Sequence, residues 1–501
     1  MYSVSQAYLT AAASDEQEHK LTGTIGSTSF DESNIVDGSF KISNTCSDNN
    51  EISIGSVVIG ELTATFTGIM LERGAWRNKV ITPTFSLKTG ENTWENVPLG
   101  KFKIKAAKHT SEGVQVTAYD NMRRFDKKFK KRSFRYTGTM YDFLSDICTK
   151  RGVTFGMTSQ EVAALPNGSN SFRIYGSVKS EGDNDIKTYR DCISYIAQVL
   201  GCFATMDRTG ALVLRKYGTS SAVVSISDRH RLDSAVFEDF TTKYIGLFVN
   251  DMDSGDEIYY GYDVDDLNDL LSNVNATLQD ITTEMQNVEI EYQNGNISEN
   301  DYTTQMSDLN YEYNACISRQ TWINSAITYS QQHSIGDGSC IVLGDNPFLQ
   351  DSDIEDRDTY RWNIVSELMN ISFVPFTASM LCGAHFDLGD TITFTGGHAG
   401  DSVSCCVMDF IYSCNDAYEM AGMGSDPDLA NVHTLARKKA SVALKEVKEK
   451  DVKVTNYYNA NDGVEIAQID GHSIYAPAGG SGGGVQYRSI ADNHIEFVPY
   501  E

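Results

Sequence analysis

The chain has 501 residues, 41% of them hydrophobic, with a formal net charge of -27 and a pI near 4.7. Its apolar content supports about three or four folded domains, and so acidic a surface repels nucleic-acid phosphates and anionic membranes. Its 10 cysteines are scattered, Met1 to Thr10 lacks the basic start and apolar core of a signal peptide, and no stretch reaches the roughly 18 apolar residues of a membrane span. These features predict free, buried thiols in a reducing compartment and no membrane anchor.

Residues 1–133 read as strands. SFKIS, ISIGSVVIGELTATFTG, VITPTFSLK, VPLGKFKIKAAKHT and VQVTAYD are apolar or alternating runs separated by Gly, Asn and Asp. They predict a first β-barrel-like domain. A basic patch then interrupts the acidic chain: Arg123, Arg124, Lys127, Lys128, Lys130, Lys131, Arg132 and Arg135, interleaved with Phe125, Phe129 and Phe134. Such a mixture suits nucleic acid. In this acidic chain a solvated face, or a dock for an acidic neighbour, fits better.

The period changes at Thr139. MYDFLSDICTKRG predicts a helix with Thr139 as cap, Asp142 three residues on and Gly152 just past its end. TYRDCISYIAQVLG predicts another, with Cys192, Ile193, Ile196, Val199 and Leu200 on one face and Gly201 as its stop. CFATMD then turns through Arg208-Thr209-Gly210 into ALVLRKY, a tight hairpin. Residues 134–217 are therefore expected to form a small α/β domain.

Strands resume at SAVVSIS, AVFEDF and YIGLFVN, and continue at CIVLGDNPFL, WNIVSELMNISFVPFTASML, FDLGDTITFTG and SVSCCVMDFIYSC. They predict a second β-barrel-like domain, split into 218–262 and 333–420. Residues 263–332 interrupt it with two runs of apolar residues at alternating spacings of three and four. The first run is Val264, Leu267, Leu271, Val274, Leu278, Ile281, Met285, Val288 and Tyr292; the second is Tyr302, Met306, Leu309, Tyr313, Cys316, Ile323 and Ile327, broken only by Gln320. This is a coiled-coil seam. The turn sequence Gln293-Asn294-Gly295-Asn296 and the cap Ser298 lie between the runs, so the segment predicts an antiparallel hairpin with arms roughly 40 Å long. The seam of this hairpin is a candidate interaction surface.

A weak internal repeat links the two β-regions. Ile52, Ile54, Gly55 and Val58 match Phe386, Leu388, Gly389 and Ile392 in spacing. Residues 421–501 read as a helix and an extended tail. Val432, Ala436, Ala440, Ala443 and Val447 make a narrow stripe for close helix packing, flanked by Leu435 and Leu444; APAGGSGGG from Ala476 to Gly484 is a flexible linker.

Chemical motifs are sparse. No phosphate-binding Gly loop follows a strand, and neither a zinc-protease helix motif nor a nucleophile elbow occurs. Asp183-Asn184-Asp185 and Asp251-Met252-Asp253 lack the later Gly and Glu of a calcium loop. Cys382, His385, His398, Cys405, Cys406 and Cys414 are the metal candidates, and Cys382 and His385 have a ligand-like spacing. Cys405 and Cys406 are neighbours in a strand and face opposite sides, which weakens the set. No catalytic residue and no cofactor are nominated.

Six segments taken in order resemble tail hub proteins of tailed bacteriophages, the module that also forms the N-terminal part of tail-associated lysins and the hub of contractile injection machines. They are VPLGKFKI (97–104), TAYDNMRRFD (117–126), TMYDFLSDICTKRGV (139–153), TYRDCISYIAQVLGCFATMDRTGALVLRKY (188–217), NPFL (346–349) and FDLGDTITF (386–394). The resemblance implies an α+β, mostly β fold and a structural protein of the virion tail tip or baseplate, assembled in the host bacterial cytoplasm. It implies a homotrimer whose two barrels per chain meet a hexameric tail tube, with distal tail or baseplate proteins, the tape measure protein and fibres as partners. DNA would pass during ejection without specific binding. The lytic domain of tail-associated lysins has no counterpart in the short polar C-terminal segment. The alternatives are a tail-associated cell-wall hydrolase and a receptor- or carbohydrate-binding tip protein.

Overall fold

The computed structural model describes residues 1–424 except 15, 48–51, 70, 73, 130–136, 174–185, 219–223, 233, 251–256, 261–263, 333–338, 344–345, 347, 350–356, 369–370, 381–382, 415–417 and 423, together with five short strands between 457 and 499. It divides into two units, 1–431 and 432–501.

The first unit opens with helix α1 (Gln6–Ala12), then strands β1 (His19–Ile25), β2 (Thr28–Asp31), β3 (Lys41–Thr45), β4 (Glu61–Phe66), β5 (Val80–Gly90), β6 (Thr93–Pro98), β7 (Phe102–His109) and β8 (Val114–Tyr119). Then come β9 (Thr137–Thr139), helices α2 (Met140–Arg151) and α3 (Ser159–Ala163), β10 (Ser171–Arg173), helix α4 (Tyr189–Val199), and the hairpin β11 (Phe203–Met206) and β12 (Leu212–Arg215). The last stretch holds β13 (Val224–Ser227), β14 (Val236–Phe237), β15 (Thr242–Asn250), β16 (Glu257–Tyr260), helices α5 (Val264–Gln293) and α6 (Glu299–Gln332), β17 (Ser339–Leu343), helix α7 (Arg357–Leu368), β18 (Ser372–Phe373), β19 (Phe376–Met380), β20 (Thr391–Thr395), β21 (Val403–Cys406), β22 (Asp409–Ser413) and β23 (Tyr418–Gly422).

The class is α+β and mostly β, as expected. The two β-regions are not separate closed barrels. A 12-stranded sheet runs β14-β19-β23-β22-β3-β4-β8-β7-β5-β1-β2, with β6 beside β5. Its two parts join at the antiparallel pair β3–β22, where Ile42 lies opposite Tyr412 and Asn44 opposite Phe410. Strand pairing therefore crosses directly from the first region to the second. Tyr412 and Tyr418 pack edge-on against Phe85, so the same layer shares one aromatic core.

Local signals place the helices. Thr139 and Asp142 form a capping box on α2, and Gly152 ends it at φ 63° in the left-handed region that glycine adopts freely. Thr188 and Asp191 do the same for α4, whose Cys192, Ile193, Ile196 and Val199 are all buried. Two expectations are corrected. The first β-region opens with α1, capped by Ser5. WNIVSELMN is helical, not extended: Arg361, Ile364, Val365 and Leu368 are buried at spacings of three and four, a helical face that the β-branched pair Ile364-Val365 disguises in sequence. The stretch from Ile52 to Gly60 also lies outside the strands.

The repeat has a structural counterpart. Ser56 N donates to Ser53 O at 3.1 Å and Asp390 N to Asp387 O at 3.2 Å, closing two four-residue turns. Gly55 (φ 83°) and Gly389 (φ 87°) each hold the third position, where a positive φ marks a type II turn. Both turns rest on the α/β region. A Cβ on Gly55 would lie 2.2 Å from the Gln198 side chain, and one on Gly389 2.5 Å from Lys216 O.

The second unit holds β24 (Tyr457–Tyr458), β25 (Val464–Ile469) and β26 (His472–Ala476) in one antiparallel sheet, and β27 (Val485–Ile490) paired with β28 (His494–Pro499). The stripe of Val432, Ala436, Ala440, Ala443 and Val447 lies outside the described residues. No described helix is long and apolar enough to cross a membrane.

Tyr217 tests the link between the α/β and first β-regions. Its fully buried hydroxyl lies 2.6 Å from Cys46 O and 2.7 Å from Ser53 O. Tyr217→Phe should cost about 1–3 kcal/mol in equilibrium denaturation, because it leaves buried carbonyls without their donor.

Candidate functional site

Cys382 lies outside the described residues. His385 is buried between Tyr8, 5.2 Å away edge-on, and Phe386, 4.1 Å away. His398 is exposed on the turn after β20. Cys405 and Cys406 are both buried, because both faces of β21 are covered, and Cys414 is buried at the end of β22 beside Phe40. Among the described residues no three His, Cys, Asp or Glu side chains converge as a metal site would require. Cys46, Cys148, Cys192, Cys202, Cys316, Cys405, Cys406 and Cys414 are free thiols, and burial pushes the Cys148 and Cys406 thiols up to about 12, so they stay protonated.

The densest polar arrangement is an ionic joint that the sequence reading did not single out. Asp207 Oδ1 accepts from Thr209 N at 2.9 Å and Ala211 N at 2.8 Å, which shapes the turn between β11 and β12. Arg208 is thereby projected out of the hairpin. Its Nε and Nη2 reach Asp387 Oδ1 at 3.1 and 3.0 Å, Nη2 donates to Phe386 O at 2.8 Å, and Nη1 donates to Pro98 O at 2.8 Å. Arg215, on β12, holds the other Asp387 oxygen at 3.0 Å. Asp390 accepts from Asp387 N at 2.8 Å and from the Met1 ammonium at 2.7 Å. The Arg208 guanidinium also lies 5.1 Å from the Tyr2 ring.

This geometry explains the charge states. Burial pushes the Asp387 carboxyl up, but Arg208, Arg215 and the Met1 ammonium together outweigh it and hold the group below the usual carboxylate range. His385 is pushed down to about 4, first by burial and then by Arg208 and the Met1 ammonium. It stays neutral near pH 7.

Neighbouring segments complete the joint. Asn121 Nδ2 donates to Gly210 O at 2.7 Å, tying the end of the first β-region to the same hairpin turn. Asn346 Nδ2 donates to Tyr195 O at 3.0 Å and to Gln198 Oε1 at 2.9 Å on α4, and Phe348 packs against Phe143 of α2. Asn167, at φ 57°, donates to Val199 O and to Tyr360 O and accepts from Asn363, so it bridges α4 and α7.

The second candidate is the helical arm. At 30 and 34 residues, α5 and α6 are about 45 and 50 Å long. The arm leaves and re-enters beside β15, between β16 and β17: Tyr260 lies opposite Leu247, and Ser339 opposite Tyr244. The strand ends that flank it, Tyr260 and Ser339, are two strand spacings apart across β15 and three residues apart along it, about 14 Å in all. Seam residues Leu267, Val274, Leu278 and Ile323 are buried with the main core, and Leu271 and Ile327 are half-buried against it. Farther out, Ile281, Val288 and Leu309 form a second core with Met285, Met306 and Tyr313 around it. Val264, at the start of α5, is half-buried. The seam therefore packs within the chain, and only the outer faces of the arm remain for neighbours. Gln320, the one break in the pattern, donates to Asn275 Oδ1 at 2.7 Å across the hairpin. At the tip Tyr292 stacks on Tyr302 at 4.4 Å, and Tyr302 donates to Glu289 at 2.6 Å.

No protein-family model matches the chain, and no curated protein matches its sequence. Solved structures that match the chain include phage tail proteins, a phage baseplate and a PdpA–VgrG complex from Francisella. The 43 kDa tail protein of prophage MuSo2 from Shewanella oneidensis is 8% identical, over 82% of this chain and 99% of its own, with a TM-score of 0.40. Prophage tail protein gp18 from Listeria monocytogenes is 11% identical, over 83% and 99%, with a TM-score of 0.41. A tail protein from Neisseria meningitidis is 10% identical, over 82% and 98%, with a TM-score of 0.40. At these values the likeness carries no residue role and no activity over to this chain.

Three outcomes follow from the geometry. Arg208→Ala should destabilise the first unit by about 3 kcal/mol, since it strips a largely buried carboxylate of one partner. The deficit should be full above about pH 4 and shrink as the pH falls through the lowered Asp387 value, as read by denaturation at several pH values. The His385 contribution is separate: stability falls between pH 6.5 and about 4, where only the unfolded chain takes up the proton. Gln320→Leu should slow hydrogen exchange in the middle of the arm roughly fivefold, because a polar seam residue lowers coiled-coil stability.

Proposed function

We propose that the chain is a structural hub of a phage tail, a homotrimer that joins the hexameric tail tube to the three-fold tail tip or baseplate and lets DNA pass. One observation carries the reading. Four of the six segments that resemble tail hubs meet at the joint. VPLG supplies Pro98 O, TAYDN supplies Asn121, the DRTG turn supplies Arg208 and Gly210, and FDLGD supplies Asp387 and Asp390. NPFL supplies the Asn346 lock on α4. The recognisable residues hold three regions in a fixed relation, which a framework requires.

The paired turns at Gly55 and Gly389 support the same reading. Two related β-regions in one chain let three copies present six similar faces to a six-fold tube. The net charge of -27 suits a channel that DNA must traverse without sticking. On this reading the chain performs no catalytic step. Its place is the virion tail tip or baseplate after assembly in the bacterial cytoplasm, and its partners are tail tube, distal tail or baseplate proteins, the tape measure protein and fibres.

Light scattering on the purified full-length chain tests the trimer. The expected mass is three times the 55.4 kDa of one chain. A species that remains monomeric across the accessible concentration range, or clearing of a peptidoglycan zymogram by the chain alone, would count against the proposal.

A further inference from the structure

Charge is segregated in this chain far more sharply than its net value shows. Residues 101–135 hold 12 Lys and Arg against 3 Asp and Glu. Of those three acids, Asp120 is buried and accepts from two backbone N–H groups, and Asp126 is paired with Arg190 at 2.8 Å. The arm, residues 264–332, is the reverse: 11 Asp and Glu against one basic residue, Arg319.

Each set is ordered into a stripe. On β7 the inward positions are Phe102 and Ile104, so Lys103 and Lys105 share the outer face, with exposed Lys101 and Lys108 at the two ends. Tyr119 lies opposite Lys103 and carries the Arg123 guanidinium 4.5 Å above its ring; Glu61 flanks it on β4. From Lys101 to Lys108 the row spans about 24 Å. On α5 the exposed Asp269, Asp280, Glu284 and Glu291 are 11, 4 and 7 residues apart, which puts them within about 60° of one another and roughly 120° from the seam. Asp269 to Glu291 spans about 33 Å. On α6 Asp301, Asp308 and Glu312 repeat the spacing of 7 and 4 and are also exposed. Among the described residues no ion pair engages either stripe within the chain.

We infer that the lysine row on β7 is the docking site for the acidic arm of a second copy of this chain. The two stripes are opposite in sign and both are exposed on one chain, and the acidic stripe is long enough to cover the whole lysine row. An arm on one surface that meets a row on another makes a head-to-tail contact, the kind that closes a ring when the rotation permits. The contact would be built from exposed ion pairs, so it sets orientation and association rate and weakens as salt rises. It needs no assumption about phage tails.

Carbodiimide cross-linking tests it directly. This reagent joins a carboxylate and a lysine already in contact, with no spacer. Full-length chain grown on 15N is mixed with unlabelled chain, left to exchange, and cross-linked. Mixed-isotope links from arm carboxylates to Lys101, Lys103, Lys105 or Lys108 are expected; links confined to single-isotope chains, or no links between these stripes, would overturn the contact. Reversal of the arm (Asp280→Lys, Glu284→Lys, Asp308→Lys, Glu312→Lys) or of the row (Lys101→Glu, Lys103→Glu, Lys105→Glu, Lys108→Glu) should weaken self-association roughly tenfold or more. Both reversals in one chain should restore it. An oligomer unchanged by either reversal would refute the docking and leave the hub proposal standing. Duplex DNA held by the row, with self-association untouched by its reversal, would also refute it. If a reversed variant fails to fold, the unaltered chain still decides, since the isotope-mixed links must fade between low and high salt.

Discussion

The fold depends on keeping one carboxylate, Asp387, ionised in a largely buried place. Taking it from water costs several kcal/mol, and that cost is offset only because two guanidinium groups hold both of its oxygens. The partners come from the β11–β12 hairpin, and Arg208 also caps the Pro98 and Phe386 carbonyls. A shift of the hairpin by a single residue would strand an acid and two carbonyls together. The joint therefore penalises misplacement of any of the three regions it touches.

Around this joint the two β-regions treat the α/β region alike. Turns ending at Ser56 and Asp390 both place a positive-φ glycine against it, on α4 and on the end of β12. The β3–β22 pairing then makes the two regions one sheet. Contacts of these three kinds hold the regions in one fixed relation. The arm contrasts with that body. Its base shares the main core, while its outer half has a core of its own and a seam filled by its own helices.

The same segregation appears in the electrostatics. A chain of net charge -27 gathers 12 of its 41 basic residues in residues 101–135 and leaves the arm almost purely acidic. Such a pattern does little for the stability of one chain, because exposed pairs contribute little. It can specify how copies orient, because opposite stripes attract before contact is made.

The sequence by itself determined whatever rests on neighbours within a few turns of chain. Capping boxes at Thr139 and Thr188, the glycine stops at 152 and 201, the DRTG turn and the whole arm follow from local hydrogen bonds and periodic burial. Where local preference and packing disagree, the sequence misled: Ile364 and Val365 favour a strand, yet their burial on α7 at helical spacing decided the element. The joint was not legible, although its residues lay in view within quoted segments. Arg208 and Asp387 are 179 positions apart, and no period or spacing couples groups at that distance. Which of 68 acidic residues meets which of 41 basic ones is settled only when the sheet closes around them, since desolvation makes a partner necessary for the few that are buried.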